Sequence, residues 1–156
     1  MVLNLTLNSK PINNYSLKEN LYFMKLKVKI AIPGKVVWES EANEINIQTT
    51  TGKIGILPNH APLVTAIETG VLTIKDESQN NYMVLSDGYL SLNKNSIFIA
   101  TDRCILQESI DSTKIEQDNK IAIENFNNAK TPGKKSIANK SLKRINACFE
   151  VLSLKK

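Results

Sequence analysis

The run LKVKIAI occupies residues 26–32 and is followed directly by Pro33-Gly34. Apolar side chains stand at every second position of this run, and lysines fill most of the positions between them. Alternation with a period of two is typical of a β-strand that has one buried face and one face in water. Pro-Gly is a strong turn signal. The run therefore predicts a strand that ends in a tight turn, and Met24 is a plausible start of the compact part of the chain.

Further short strand-like runs follow, separated by turns that are rich in Gly and Asn. They cover residues 35–39, 44–50, 53–57, 71–75, 82–86, 89–92, 96–100 and 104–107. Many short strands at close, regular spacing are typical of an antiparallel sandwich or barrel. With 156 residues, of which 42% are hydrophobic, the chain can build such a core without metals or disulfides.

After Ser109 the hydrophobic period becomes helical, and Ser109 or Asp111 can cap the first helix. The apolar positions are Ile115, Ala122, Ile123, Phe126 and Ala129 in a first stripe, and Ala138, Leu142, Ile145, Cys148 or Phe149, and Leu152 in a second. Thr131-Pro132-Gly133 is predicted to break the helix between them. So short a turn predicts an antiparallel hairpin whose two stripes pack against each other.

The predicted class is therefore α+β, an N-terminal antiparallel β-sandwich followed by a C-terminal antiparallel two-helix hairpin. Residues 1–23 form an N-terminal extension of uncertain order, residues 24–108 the sandwich and residues 109–156 the hairpin. We expect neither a secretory signal nor a transit peptide in the extension, since it lacks a basic leader with a hydrophobic block and contains no Arg.

The positive charge is concentrated at the C-terminus. The whole chain carries a net charge of +5, yet residues 133–156 hold seven basic residues against one acidic residue, Glu150. This segment therefore carries +6, and the rest of the chain sums to −1. Such a segment can bind an acidic partner, which could be a nucleic acid, an anionic lipid surface or an acidic protein loop.

Catalytic and metal-binding patterns are missing from the sequence. No nucleophile elbow, Gly-rich phosphate loop or carboxylate pair is visible, and a single histidine cannot build a zinc site with such scattered partners. We therefore predict a non-enzymatic chain with no metal and no cofactor. Cys104 and Cys148 lie far apart and are predicted to be buried, reduced thiols. No run approaches the ~20 apolar residues of a membrane-spanning helix.

The most informative stretch is TGKIGILPNHAPL, residues 51–63. Pro58 and Pro62 bracket a polar pair, Asn59 and His60, so the loop is predicted to be stiff and to display that pair. From the residues alone, two interpretations remain open. The loop is either a rigid connection between strands or a surface that contacts a partner.

The segment from Gly52 to Pro62 closely resembles the signature of the epsilon subunit of F-type ATP synthases. Val36-Val37-Trp38-Glu39-Ser40-Glu41, with Glu44-Ile45 after it, resembles the chloroplast form in particular. The resemblance extends from about Leu26 to the C-terminus. It implies a non-catalytic subunit of the central stalk, present once per complex and peripheral to the membrane. The implied location is the stromal face of a chloroplast thylakoid, or alternatively the cytoplasmic face of a bacterial inner membrane.

The resemblance also implies partners for particular residues. The sandwich would connect the gamma subunit to the rotor ring of the membrane (the c-ring) through a loop that carries Gly52, Lys53, Pro58, Asn59 and His60. Many relatives have an acidic or amide residue where this chain has Lys53. The hairpin would extend along gamma and suppress ATP hydrolysis by touching an acidic loop of the alpha/beta catalytic head through Lys140, Lys143 and Arg144.

Some bacterial relatives bind ATP at the hairpin through a motif that aligns with Ile110, Asp111 and Lys114. Here Lys114 stands in place of Arg, which removes the planar guanidinium needed for bidentate recognition. We therefore favour a helix cap at Asp111 over a nucleotide ligand.

A second function of a different class is a small β domain whose basic hairpin binds nucleic acid. It requires aromatic stacking platforms beside the basic residues. Phe149 is the only aromatic residue in the sequence from 133 to 156, which disfavours this alternative.

Overall fold

A computed structural model describes residues 24–154, so the predicted extension, residues 1–23, lies outside the described part. The described chain forms ten strands, a short 3-10 turn at Gln107–Ser109 and two α-helices. The strands are β1 Leu26–Ile32, β2 Lys35–Ala42, β3 Glu44–Thr49, β4 Gly52–Ile56, β5 Leu63–Ile67, β6 Gly70–Lys75, β7 Asn80–Leu85, β8 Gly88–Asn93, β9 Ser96–Thr101 and β10 Cys104–Leu106. The helices are α1 Ser112–Asn128 and α2 Pro132–Ser153.

The strands form two layers that face each other. Backbone pairing joins the two layers where Thr49 of β3 pairs with Ile67 of β5. One layer has the order β10-β7-β6-β3-β4 and is called the helix-side layer below, because α2 packs on it. The other, β5-β8-β9-β1-β2, is called the open layer. Within the described residues every strand pairing is antiparallel except that of β1 with β9, which is parallel. The predicted sandwich followed by a hairpin is confirmed.

Alternation of buried and exposed residues builds the core between the two layers. Leu26, Val28 and Ile30 of β1 are fully buried, as the opening run predicts. They belong to one cluster with alternate residues of β3, β6, β7, β8 and β9. Each strand therefore contributes one apolar face, and the two faces close the core between them.

Strand β6 is buried on both faces. Leu72 and Ile74 point into the sandwich core. Val71, on the other face of β6, and Val84 of β7 pack instead against Ala147, Cys148 and Val151 of α2. The continuous apolar character of Val71 to Ile74 thus reflects a helix on the outer face of the helix-side layer.

Two expectations about the helix ends are resolved by cap geometry. Of the two predicted caps, Asp111 is the N-cap of α1, and its Oδ1 accepts from the amides of Thr113 at 2.8 Å and Lys114 at 3.2 Å. The prediction that Thr131-Pro132-Gly133 breaks the helix is correct for Thr131, which lies in the connection, but Pro132 and Gly133 belong to α2. Thr131 caps α2 and Pro132 opens it, because a proline in the first turn loses no helical hydrogen bond. The connection is only residues 129–131.

The predicted stripe of α2 is correct at Ala138, Ile145 and Cys148, which are buried. The stripe of α1 is partly wrong, since Ile123 is 46% exposed and Ala122 is the buried residue of that helix. The reason is that α2 lies between α1 and the helix-side layer. Helix α1 contacts the apolar cluster between α2 and that layer through Ile115. Within residues 24–154, neither helix is long and apolar enough to cross a membrane.

Candidate functional site

The β4–β5 loop is braced against a neighbouring turn. Asn59 has a positive φ of 65°, and its amide donates to Oδ1 of Asn95 at 2.6 Å. Asn95 lies in the β8–β9 turn, and its carbonyl accepts from the Lys27 amide at 2.8 Å. The Asn59 side-chain nitrogen lies 3.6 Å from the sulfur of Met24. The loop is therefore in contact with two other segments, the β8–β9 turn and Met24, and its stiffness stays a prediction.

His60 is exposed at the tip of this loop. Its amide donates to the Leu57 carbonyl at 3.2 Å, and its Nδ1 lies 2.7 Å from the Ala61 carbonyl oxygen. A carbonyl only accepts, so Nδ1 is the donor of this hydrogen bond. The loop thus displays an imidazole next to the exposed side chain of Leu57.

Gly52 and Lys53 are not part of this loop, which corrects the grouping expected from the resemblance. They begin β4, where Gly52 pairs with Thr49 and Lys53 pairs with Gln48. A strand advances by roughly 3.3 Å per residue, so the length of β4 separates them from Pro58. Lys53 lies instead beside Glu68 and residues of α2. Contact with partner subunits stays a prediction for all five residues, but these residues lie at two separate positions, at opposite ends of β4.

The three basic residues expected to contact the catalytic head also lie in different places. The Nζ atom of Lys140 lies 2.8 Å from Oδ2 of Asp87, and that of Lys143 lies 3.2 Å from Oε2 of Glu68. Arg144 lies elsewhere, in the cleft between the two helices. The three residues therefore do not form one free basic surface in this conformation. Their inhibitory role stays a prediction.

The ion pair of Asp87 with Lys140 is reinforced by further hydrogen bonds. The amide and Oγ1 of Thr69 donate to Oδ1 of Asp87, at 3.0 and 2.8 Å. The hydrogen bond from Lys140 lowers the pKa of the Asp87 carboxyl below its usual value, and the same bond raises the pKa of Lys140. Both groups are thus charged throughout the neutral pH range.

The cleft between α1, α2 and the end of the sandwich has a volume of about 770 Å³. It brings together Ile110, Asp111 and Lys114, the three residues aligned with the bacterial nucleotide motif, and four basic residues line it, namely Arg103, Lys114, Lys134 and Arg144. The Asp111 carboxylate already accepts two helix amides, as expected for a cap. The cap at Asp111 is therefore present in the structure, and nucleotide binding at Ile110, Asp111 and Lys114 stays a prediction that we disfavour. Within residues 24–154, no group of three His, Cys, Asp or Glu side chains could hold a metal ion.

Burial makes both thiols poor nucleophiles. Cys148, on α2, is buried against the helix-side layer, and Cys104 is half-buried in β10. Burial raises the pKa of Cys104 to about 11 and also raises that of Cys148. A thiol reacts as its thiolate, so a raised pKa lowers its rate at neutral pH.

We therefore expect a maleimide or disulfide reagent at pH 7.5 to label native Cys104 and Cys148 much more slowly than the same chain unfolded in urea. Unfolding is the control, because it restores the ordinary pKa and the access of both thiols. Rapid labelling of both thiols in the native chain would show that these placements are wrong.

Sequence reasoning missed Glu68 and Asp87, the two carboxylates that meet α2. Asp87-Gly88 is visible in the sequence only as a turn signal, and Glu68 stands alone after β5. Both become significant because the fold brings the β5–β6 and β7–β8 turns beneath the same face of a helix more than fifty residues later.

A two-layer sandwich that carries a C-terminal helical hairpin on one face is the architecture expected of ATP synthase delta and epsilon chains. The family described as "ATP synthase, Delta/Epsilon chain, beta-sandwich domain" matches residues 25–107. The chain belongs to this family. It is 72% identical over 132 residues to the chloroplastic ATP synthase epsilon chain of Bigelowiella natans, covering 83% of this chain and 96% of that relative.

More distant relatives carry similar names. The chloroplastic epsilon chain of Ipomoea batatas is 35% identical, with 83% of this chain and 98% of that one covered. The cyanelle epsilon chain of Cyanophora paradoxa is 34% identical, with 80% and 94% covered.

The fold is also similar to a chain in the cryo-EM structure of the Euglena gracilis mitochondrial ATP synthase. The TM-score is 0.73 at 18% identity, with 82% of this chain and 81% of that chain covered. A chain of the central stalk and c-ring structure of the Tetrahymena thermophila enzyme gives a TM-score of 0.60 at 13% identity, with 81% and 96% covered.

Proposed function

We propose that this chain is a non-catalytic central-stalk subunit of a proton-translocating ATP synthase. Its sandwich connects the gamma subunit to the c-ring, and its hairpin inhibits ATP hydrolysis by contacting the alpha/beta head. The observation that carries this proposal is the 72% identity across 96% of a relative named as an ATP synthase epsilon chain. The names of the fold neighbours, which include a central stalk and c-ring assembly, support the same partners.

The names of the same relatives support a location. They are named chloroplastic or cyanelle, which supports a plastid rather than a bacterial source. We place the subunit on the stromal face of the thylakoid membrane, as a peripheral member present once per complex.

The braced β4–β5 loop supports a role of the sandwich in transmitting torque. A rotor contact needs groups that stay in place under load, and the loop is fixed by Asn95 and by two prolines. Its exposed Leu57 and His60 offer one apolar and one polar contact to a partner. Gly52 and Lys53, at the start of β4, would serve a separate contact.

The hairpin is suited to regulation because its attachment to the sandwich is small. Three side chains of α2, those of Ala147, Cys148 and Val151, meet Val71 and Val84 across the seam. A unit with so few buried apolar contacts opens at a low free-energy cost. An acidic partner that binds only the extended form would shift the equilibrium toward it.

The nucleic-acid alternative finds little support in the two phenylalanines of the hairpin, and the exposed Tyr89 lies beside two lysines of α2 that are already in ion pairs. Phe149 is half-buried. The ring of Phe126 is covered by Lys135, whose Nζ lies 5.4 Å from the ring centroid. Stacking on bases requires an open ring face, so the stalk function is favoured.

Reconstitution tests the proposal directly. We expect the purified chain, added to a plastid ATP synthase complex depleted of epsilon, to bind with gamma and to lower ATP hydrolysis. An unrelated basic protein of similar size and charge is the control. If the chain neither binds the depleted complex nor changes its hydrolysis, the stalk function is wrong.

We expect Asn59→Gly combined with His60→Ala to reduce proton-coupled ATP synthesis while the isolated fold keeps its stability. Glycine tolerates the positive φ at position 59 and keeps the amide that donates to Asn95, so the loop conformation survives. The measurement is ATP synthesis driven by an imposed proton gradient in the reconstituted complex, with thermal unfolding of the free chain as control. A double variant that couples like wild type would mean that the loop is only a connection.

A further inference from the structure

Helix α2 contacts the sandwich in two ways, through the apolar seam at Ala147, Cys148 and Val151 and through two ion pairs one to two turns earlier. The buried residues of the seam all have small or medium side chains, and Tyr82 and Ile105 of the sandwich pack at its edge. Because the seam is small, we expect the ion pairs beside it to affect the equilibrium between the docked and the released helix.

The two lysines of α2 are placed to meet two carboxylates at once. Lys140 and Lys143 stand three residues apart and so lie on the same side of the helix. Asp87 follows β7 and Glu68 follows β5, and the turns that hold them lie next to each other, joined by the Thr69 to Asp87 hydrogen bonds. We call Glu68 and Asp87 together the acidic clamp.

The Asp87 carboxylate and the Glu68 backbone are held by contacts within the sandwich that do not involve α2. Oδ1 of Asp87 accepts the two Thr69 hydrogen bonds, which leaves Oδ2 for Lys140. The Glu68 amide donates to the Gln48 carbonyl at 3.2 Å, which fixes its backbone on β3. Ordering of the acidic side in advance lowers the entropy lost when the lysines bind, which is the term that commonly cancels exposed ion pairs.

We propose that the acidic clamp holds the basic face of α2 on the sandwich and thereby competes with the acidic partner of the hairpin for the same two lysines. A lysine paired with Asp87 or Glu68 cannot also pair with another carboxylate at full strength. This inference rests on the proposed function for the identity of that partner, but the clamp itself is a property of the free chain.

The position of Cys148 supplies a reporter of docking. Its side chain is buried in the seam between α2 and the helix-side layer, so release of α2 exposes it. Cys104 belongs to β10 and packs against the sandwich core, so release of α2 leaves most of its surroundings intact. In a Cys104→Ser chain, the labelling rate of Cys148 by a maleimide follows the opening of the hairpin alone.

We expect Glu68→Gln combined with Asp87→Asn, in the full chain, to accelerate Cys148 labelling several-fold. Asparagine at position 87 keeps an oxygen for the Thr69 hydrogen bonds, so the turn is preserved. The matched control is Glu39→Gln combined with Glu44→Gln, because these carboxylates pair with Lys29 and Lys75 within the sandwich. If the clamp variant labels at the rate of the control, the clamp is overturned and the two pairs are ordinary surface contacts.

A charge exchange and a salt series test the same pairs independently. Glu68→Lys and Lys143→Glu should each accelerate labelling, and their combination should restore a rate near that of wild type. Raising the salt concentration should accelerate wild type more than the clamp variant. Failure of the exchange to restore the rate, or equal salt responses, would also overturn the clamp.

If the acidic clamp competes with the partner, it should weaken the inhibition of ATP hydrolysis by the hairpin. In the reconstituted complex, Glu68→Gln with Asp87→Asn should inhibit ATP hydrolysis more strongly than wild type, because Lys140 and Lys143 are released for the partner. Faster labelling with unchanged hydrolysis would support the clamp in the free chain and contradict the proposed inhibitory function. Unchanged labelling would overturn the clamp whatever the hydrolysis rate.

Discussion

Deletion of residues 131–156 is expected to raise ATP hydrolysis by the assembled complex several-fold while ATP synthesis is maintained. The sandwich core lies between the two strand layers and includes no residue of α2, so it survives the deletion. What the deletion removes is the whole of α2 and its cap Thr131, including every basic residue after Gly133. The measurements are hydrolysis and gradient-driven synthesis by complexes reconstituted with the full or the shortened chain.

A second deletion, of residues 112–156, controls for the helix left behind. Without α2, helix α1 loses its packing partner and the outer face of Val71 and Val84 becomes exposed. Both deletions should give the same hydrolysis rate, and circular dichroism of both should retain the β signal. Hydrolysis that stays at the wild-type rate after both deletions would leave the sandwich with a docking role alone.

Substitution of the basic residues is less decisive than deletion, because the lysines act in two ways. Neutralising Lys140 and Lys143 removes charge from the contact with the catalytic head, which should raise hydrolysis, but it also releases α2 from Asp87 and Glu68. Arg144 makes neither of these ion pairs. We expect Arg144→Gln to raise hydrolysis modestly without undocking the helix, and we expect inhibition by wild type to weaken at high salt.

Strand alternation was sufficient to predict most of the sandwich, and its one failure has a physical cause. Strand β5, residues 63–67, is absent from the predicted set. Its alternation is masked because Val64 is 76% exposed, on the outer face of the open layer, while Thr65 is half-buried. A strand with an apolar residue on its wet face carries no period-two signal. Sheet pairing, with β8 on one side, defines it instead.

Proximity in sequence misled the interpretation of the loop. Gly52 and Pro58 belong to one recognisable segment, yet the extended backbone of β4 carries them to different ends of a strand. The opposite holds for Asp87 and Lys140, which are distant in sequence and share an ion pair. No local pattern encodes such a pair, because it exists only after two layers and a helix have packed.

The second large effect is expected at Gly88, directly after the clamp residue Asp87. A Cβ at this position would lie 2.1 Å from the Ala100 carbonyl oxygen and 2.8 Å from the Thr101 Cα. Both obstacles are backbone atoms of β9, the antiparallel partner of β8. The partner backbone cannot retreat easily, since the Thr101 hydroxyl donates to the Ser86 carbonyl at 2.7 Å.

We therefore expect Gly88→Ala to lower the free energy of unfolding by about 3 kcal/mol, the upper part of the range for overpacking, because β8 and β9 must separate. Urea unfolding of the free chain measures it. Gly133→Ala is the matched control, because nothing lies within 4 Å of its Cβ position and it stands in the first turn of α2, where alanine should change the stability by less than about 1 kcal/mol, in the stabilising direction. Equal stabilities for the two variants would contradict the close approach of β9 to Gly88. A folded Gly88→Ala chain should also label faster at Cys148, since any displacement of the β7–β8 turn moves Asp87 away from Lys140.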